Sequence, residues 1–569
     1  MELTRQQMWD KLGEPTDLLV IGGGINGAGI ARDAALRGLD VTLVEARDLA
    51  YGTSSRSSKL VHGGLRYLEQ LEFSLVFESV SERRILMDIA PHLVRPLGFL
   101  FPVYGKSRHN LTVINTGLWL YEGLSLFRSP KRHRRLGRRE VTEEEPMLRR
   151  EDLKGAPLYY DCSTDDARLT LESAMDAAEQ GATIATWAKA VEFIKDDKGR
   201  ITGAVVEDTL GDGETKEVHA SAVINATGPW VDQTRQISTE EPTSLLRPTK
   251  GVHIVVDRSR LPVKNAVVCF HPEDERVLFA IPWAERTYLG TTDTDFQGDP
   301  GCVMADADDV RYLITAANDY FPNCNLEADD VIATWAGLRP LICPPGEEGD
   351  EISASDVSRE HQVIVDEDGL ITIAGGKLTT YRRMSAEVVD KAVKLLRLAS
   401  KLPDDLQVPA TDQRPLPGAR GWPDGDDQTV FDDLTDRTVD ASDGQLDEDT
   451  AGFLVYNYGM RATELARLVA DDPSLGEPIC EGRPELMAQI QWGVTQELAA
   501  TVTDVLMQRT QIYYRADDQG LSALERVADH MGELLGWDEE TKREQIERYE
   551  RDVQLSRRWK QGWRDEQKE

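Results

Sequence analysis

Long apolar runs are missing from this chain of 569 residues. Nothing in it approaches the roughly 20 consecutive apolar residues of a membrane-crossing helix, so any contact with a bilayer would be peripheral. Cysteine is scarce: Cys162, Cys269, Cys302, Cys324, Cys343 and Cys480 are all there are. No two form C-x-x-C and none lie close in sequence. That argues against a disulfide framework or a cysteine-ligated cluster, and for reduced thiols in a cytosolic protein. The first fifteen residues are polar and lack the apolar core of a secretion signal. Positive charge is also short, with Lys+Arg 65 against Asp+Glu 100 and a formal net charge of −35. A surface so acidic repels nucleic acid in general, and no nucleic-acid partner is expected. The acids are spread along the chain and arginine outweighs lysine. This pattern resembles proteins of salt-loving organisms, in which high salt screens the repulsion. An anionic substrate would therefore need a site that gathers cations locally.

The length calls for two or three domains, and 40% hydrophobic residues are enough for sizeable cores. One stretch organises the rest. Leu18, Leu19, Val20 and Ile21 run straight into Gly22-Gly23-Gly24-Ile25-Asn26-Gly27. Four apolar residues before a glycine cluster predict a buried parallel strand, a tight turn and a helix. Gly22, Gly24 and Gly27 fit G-x-G-x-x-G, in which the glycines make the turn, admit a pyrophosphate and let helix and strand pack closely. The helix N-terminus adds free N–H groups and a positive dipole end. The helix runs to Gly38, and a second strand over 41–44 ends in Glu45, where an acid binds a ribose hydroxyl.

Further along, residues 52–69 (GTSSRSSKLVHGGLRYLE) combine hydroxyls, paired glycines, three cations and a histidine, suited to closing around phosphate. Residues 71–93 read as a helix with mostly core apolar positions. The arginine-rich stretch 132–139 reads as a solvated helical cap. Asp161 and Asp165 could ligate a metal, but a helix cap at 163–165 is the preferred reading, and no metal is expected. Short strands are expected over 183–187, 190–194 and 203–207. An apolar strand then ends in Asn225-Ala226-Thr227-Gly228-Pro229-Trp230, which looks like a second return to the nucleotide site. Alternation over 252–256, 277–283 and 287–293 suits an antiparallel sheet covering substrate. After a helix over 307–320, a strand carries Arg339 at its end, and a further strand leads into Gly375-Gly376-Lys377-Leu378-Thr379-Thr380-Tyr381 and a helix over 384–398. Residues 401–449 are rich in Pro, Gly and Asp and read as a linker. Everything after 450 reads as helical, with one long helix over 486–513.

Taken in this order, residues 52–69 (above all Ser55-Arg56-Ser57-Ser58-Lys59-Leu60 and His62-Gly63-Gly64-Leu65-Arg66-Tyr67), 225–230, 336–341 and 375–381 resemble the FAD-dependent glycerol-3-phosphate dehydrogenases. The resemblance runs from about residue 15 to 400. It continues through Tyr458-Gly459, residues 497–501 and Arg509-Thr510. The wider amino-acid-oxidase-like flavoproteins share only the glycines, Glu45 and the late Gly-Gly turn. The resemblance implies an α/β FAD-binding, Rossmann-like domain of the glutathione-reductase type, with an inserted antiparallel-sheet substrate domain and an all-α C-terminal domain. The oxidoreductase region would span 1–400, with FAD-binding segments near 15–100, 160–235 and 345–400 and substrate-cap segments near 100–160 and 240–345. A linker at 401–449 and a helical domain at 450–569 would follow. With the acid-rich surface it also points to a halophilic archaeon as the source.

The implied reaction is oxidation of glycerol 3-phosphate at C2, with a hydride passed to FAD and electrons onward to a quinone or a partner subunit. A glycerol-3-phosphate oxidase using oxygen, or another amino-acid-oxidase-like flavin oxidase, is the alternative. The implied place is the cytoplasmic face of the membrane, peripherally attached; homo-oligomerisation is compatible with it. Gly22, Gly24, Gly27 and Glu45 would hold the ADP half. Thr53, Ser54 and Ser58 would reach the pyrophosphate and ring, and Gly228, Gly375, Gly376 and Thr379 would close the flavin end. A phosphate dianion calls for arginine forks, and Arg66, Arg339 and Lys377 are the candidates. His62 is the chosen base for the hydroxyl proton, since imidazole titrates near neutrality. His253 and Lys377 are runners-up, and Tyr67 would bond substrate.

Overall fold

The computed structural model describes residues 3–65, 72–108, 110–126, 128–239, 244–343, 360–402, 406–425 and 427–566. The strand Thr16–Ile21 lies in the middle of a sheet whose order, by first residue, is 361, 371, 215, 16, 41, 183. It pairs in parallel with Val41–Val44 on one side and Thr215–Asn225 on the other. Thr183–Ala185 and Ile371–Gly375 extend the parallel core. Leu18, Leu19 and Val20 are completely buried, as strands covered on both faces must be. Helix Ile25–Leu36 packs against helices Asp166–Glu179 and Tyr381–Leu398 over one face of this sheet. Asp165 caps the second of these, accepting from the Arg168 N–H at 3.0 Å, as a capping acid does. Among the described residues no group of side chains could hold a metal ion. Asp161 instead accepts from the Tyr121 hydroxyl at 2.8 Å and from Arg83.

A second, larger sheet is mostly antiparallel. Its longest pair, at one end of the sheet, is Leu246–Asp257 with Val331–Ile342, in register from Leu246↔Ile342 to Val255↔Ala333. Strands Arg95–Leu100 and Leu153–Ser163 belong to the same sheet. The expected substrate segments near 100–160 and 240–345 thus build one layer. Helix Ala307–Tyr320 starts and stops where its periodicity says, with Asp306 as its cap.

Two expectations for the C-terminal part change. The linker 401–449 contains helix Asp427–Ala441, which packs on helices Glu448–Tyr458 and Ala462–Asp471. Its apolar stripe is short, Val430 and Leu434 buried with Phe431 packed beside them, and Thr438 one turn on. The surrounding aspartates make a surface helix look like a loop. The long helix over 486–513 is broken into Met487–Gln496, a wide turn Asp504–Arg509 and Ile512–Arg515. A long-range ion pair and a local cap mark the break. Glu497 accepts from Arg168 at 2.7 and 2.8 Å, and Asp504 accepts from the Ala500 and Thr501 N–H groups at 2.9 Å. Among the described residues no helix is long and apolar enough to cross a membrane. All six cysteines are free.

Candidate functional site

The turn after the first strand is steeply constrained. Gly22 has φ +111°, and a Cβ there would lie 2.7 Å from the Ala226 carbonyl oxygen. A Cβ on Gly27 would lie 1.8 Å from the Gly22 carbonyl oxygen, so only glycine lets helix Ile25–Leu36 sit so close to the strand it follows. The first N–H of the helix, on Ile25, donates to Ser54 Oγ at 2.9 Å, and a Cβ on Gly24 would come within 3.1 Å of the same oxygen. Glycines 22 and 24 therefore open onto a cavity of about 850 Å³.

Four stretches of the chain contribute to its wall. Gly22, Gly24 and Glu45 come from the first β-α-β unit; Gly52, Thr53, Ser54 and Ser57 from the hydroxyl-rich loop; Thr227, Gly228 and Trp230 from the second return; Gly375, Gly376 and Lys377 from the third. Gly228, Gly375 and Gly376 have φ of +56°, +74° and +91°. These left-handed turns expose backbone and leave the cavity open. The Glu45 carboxylate accepts from the Gly23 N–H at 2.5 Å and the Arg47 N–H at 2.9 Å. Loss of water around it pushes its pKa up, against those two N–H groups. Thr53 Oγ1 donates to the Leu338 carbonyl at 2.6 Å and so ties the loop to the larger sheet. A dinucleotide fits this donor set: glycine turns, a helix N-terminus at the phosphates, an acid at the ribose and an elongated cavity.

The remaining candidates fall just behind the wall. Ser58 does not line the cavity; its hydroxyl meets His253 Nε2 at 2.9 Å. His253 is 3% exposed and stacks on Trp335 with ring centroids 4.8 Å apart. Burial pushes its pKa well below the ordinary value, with Arg339 and Lys59 adding to the effect. The stacked imidazole props the Ser58 loop, and His253 does not line the cavity. Lys59, at φ +51°, supports the same loop from beneath through Asp166 at 2.7 Å. Thr379 also acts on backbone rather than cavity. Its Oγ1 accepts from the His62 N–H at 3.2 Å and donates to the His62 carbonyl at 3.3 Å, so the third return holds the candidate base in place. Arg339 sits beside Asp293 at 2.9 Å, with Thr291 Oγ1 at 3.1 Å and the Thr292 carbonyl at 3.0 Å. Its neighbour Pro340 lines the cavity. Arg66 and Tyr67 lie outside the described residues.

The sequence reading missed one end of the site. Arg47, Tyr51, Trp187 and Ala188 also line the cavity, beyond Glu45. Trp187 is visible in sequence only as the last residue of a short strand, with no motif attached. Its φ of +54° is set by its surroundings.

Comparison with known proteins completes the picture. A family model described as FAD dependent oxidoreductase matches residues 17–382, and one described as the C-terminal domain of alpha-glycerophosphate oxidase matches residues 409–542. The chain is 38% identical over 536 residues to an aerobic glycerol-3-phosphate dehydrogenase of Staphylococcus epidermidis, covering 94% of this chain and 93% of the relative. To that of Staphylococcus aureus it is 36% identical over 543 residues, covering 95% and 93%. The solved structure of the glycerol-3-phosphate dehydrogenase from Bacillus halodurans, complexed with FAD, superposes with a TM-score of 0.79 at 33% identity over 97% of both chains. An L-proline dehydrogenase from P. horikoshii, at 18% identity and a TM-score of 0.51, shares the fold over 72% of this chain and 99% of its own.

Proposed function

The chain belongs to the FAD-dependent glycerol-3-phosphate dehydrogenases, and from that membership we propose how its own residues carry out the oxidation of glycerol 3-phosphate to dihydroxyacetone phosphate. The carrying observation is full-length similarity to relatives named for this activity. FAD, when bound, supplies the two-electron acceptor for the hydride that leaves C2. The loss of a hydride from C2 and a proton from its hydroxyl leaves the carbonyl. His62 takes that proton; its backbone is held by Thr379, which keeps the imidazole in register with the loop. Arg339 and Lys377 receive the phosphate. Arginine suits a dianion by offering two parallel N–H donors, and Asp293 orients this one from the side. Arg66 and Tyr67 join them in this reading. The cavity glycines and Ser54 hold the pyrophosphate, and Glu45 the ribose.

Electrons pass onward to a quinone or a partner subunit in this proposal, with the protein held peripherally on the cytoplasmic membrane face. The naming of the relatives as aerobic dehydrogenases favours this over direct use of oxygen. The spread acidity, −35 overall, supports a halophilic source. Steady-state turnover decides the reading. Glycerol 3-phosphate with a soluble quinone analogue gives rapid product formation, and amino acids give none. Rates with oxygen alone that match the quinone rate would move the enzyme to the oxidase class. Absence of turnover on glycerol 3-phosphate with every acceptor would overturn the substrate assignment.

A further inference from the structure

Nothing so far gives the C-terminal helical domain a task. One of the cavity-lining side chains it contacts is Trp187. This residue lines the cavity beside Arg47 and Ala188, past Glu45. An acid at the end of the second strand would hold the ribose of a bound dinucleotide, which would put the adenine beyond it. The tryptophan is only 4% exposed. Its backbone is strained at φ +54° and is held by its surroundings. Its N–H donates to the Arg47 carbonyl at 2.8 Å, and its own carbonyl accepts from the Thr209 N–H at 3.0 Å and from Arg5 Nη2 at 3.3 Å. A non-glycine residue keeps such a conformation only where neighbours over-determine it.

The indole is held from the C-terminal domain. Its Nε1–H donates to Asp504 Oδ2 at 3.1 Å. Asp504 is itself 1% exposed and fixed by the Ala500 and Thr501 N–H groups. The guanidinium of Arg548, from helix Glu539–Ser556, lies 4.9 Å from the ring centroid, and that of Arg47, from the cavity wall, 5.5 Å. Both distances are within cation–π range. Two arginines on one indole repel each other. Accordingly, burial and the neighbouring Arg47 lower the pKa of Arg548, and Asp504 raises it. The arrangement concentrates two cations and one carboxylate around a single aromatic wall. A few residues away, Arg509 pairs with Asp48 in full burial, anchoring the turn Asp504–Arg509 to the loop that follows Glu45.

We propose that the C-terminal helical domain is a retention device for FAD, in which Asp504 and Arg548 position Trp187 as the wall against the adenine end of the cofactor. It rests on the FAD assignment and is independent of the substrate reading. Asp504 and Arg548 are positioning residues: they act through Trp187 and touch no reacting atom. Retention of the resident cofactor is then set by residues far along the chain from the glycine turn.

The test follows flavin release without substrate. The holoenzyme is diluted far enough that released FAD does not rebind, and release is read from the recovery of flavin fluorescence. Arg548→Met and Trp187→Phe release FAD about tenfold faster, equivalent to about 1.4 kcal/mol, whereas Arg548→Lys, which restores a cation over the ring, returns the rate to near that of the parent. Asp517→Asn serves as the control. It takes the charge from the Arg286 pair at 2.7 Å between the same domain and the larger sheet and leaves release unchanged. Parent-like release in both Arg548→Met and Trp187→Phe overturns the proposal. So does equal acceleration by Asp517→Asn, since that assigns the effect to loosened domain packing. If Arg548→Met does not fold, Trp187→Phe and the Arg548→Lys comparison decide alone.

Discussion

The two regions that meet at the cavity are held together by different physics. The parallel sheet under the glycine turn is an apolar object. Leu18, Leu19, Val20, Leu43, Ile184 and Ile224 are all fully buried, and the helices above it approach closely because glycines let them. The seam between this sheet and the C-terminal helices is polar yet equally dry. Arg168 and Glu497 are each 2% exposed in their side chains, and Arg509 and Asp48 are 0% and 1% exposed. Apolar packing tolerates a change of shape by degrees, but a buried pair that loses one partner leaves an uncompensated charge. The nucleotide domain therefore depends on space, and the domain seam on charge.

That contrast can be broken at several points. The largest effect is expected at Gly27. A side chain there meets the Gly22 carbonyl oxygen at 1.8 Å, so Gly27→Val costs ~3 kcal/mol or more through overpacking and yields protein without bound flavin, read from the visible absorbance of the purified enzyme. Glu497→Ala strands Arg168 and lowers stability by about 3–5 kcal/mol in chemical denaturation. An equal loss in Glu497→Ala and in the double variant Arg168→Met/Glu497→Ala would contradict the charge account, because the double variant removes the stranded cation. Arg339→Ala acts on neither seam nor sheet. It raises KM for glycerol 3-phosphate about 100-fold, equivalent to ~2.7 kcal/mol and in line with lost charged hydrogen bonds, while flavin stays bound; loss of flavin in this variant would refute the phosphate-binding role.

Acid provides a milder probe. Burial raises the Glu285 carboxyl, but Arg515 and Arg483 of the C-terminal domain outweigh it and hold the pKa down to about 2 from 4.5. The folded state thus favours the ionised form. Its stabilisation is complete above pH 4.5 and is lost as pH falls toward 2. With the Glu285 side chain 40% exposed, solvent screening leaves about 1 kcal/mol at stake. The thermal midpoint of Glu285→Gln should converge on that of the parent as pH falls through this window. At the bottom of the scale, Arg139→Ala removes a pair to Glu143 whose members are 90% and 63% exposed, and changes stability by less than about 0.5 kcal/mol.

The same contrast explains what could be read in advance. The first β-α-β unit, the three returns at residues 52–67, 225–230 and 375–381, and helix Ala307–Tyr320 were legible because hydrophobic period and glycine placement are local signals. The helix Asp427–Ala441 was not, because a short apolar stripe among aspartates is too faint a signal. Nor was the break after Gln496, where Glu497 pairs with Arg168, more than 300 residues away in sequence. At the site, Gly22, Gly24, Glu45, Thr53, Ser54, Gly228, Gly375, Gly376 and Lys377 come together around one cavity. Ser58 and Thr379 belong to the right loops but turn to His253 and to the His62 backbone. Motifs identify a loop that reaches the cofactor; which hydroxyl faces inward is decided by the sheet beneath it. Trp187 had no motif at all, since its placement comes from Asp504 and Arg548 in another domain.

One measurement bears most directly on the account as a whole: anaerobic titration of the FAD-loaded protein with glycerol 3-phosphate. Resident flavin reached by this substrate bleaches in proportion to glycerol 3-phosphate added, with one dihydroxyacetone phosphate formed per flavin reduced. Flavin that stays oxidised in excess glycerol 3-phosphate, in protein whose FAD remains bound, would contradict it.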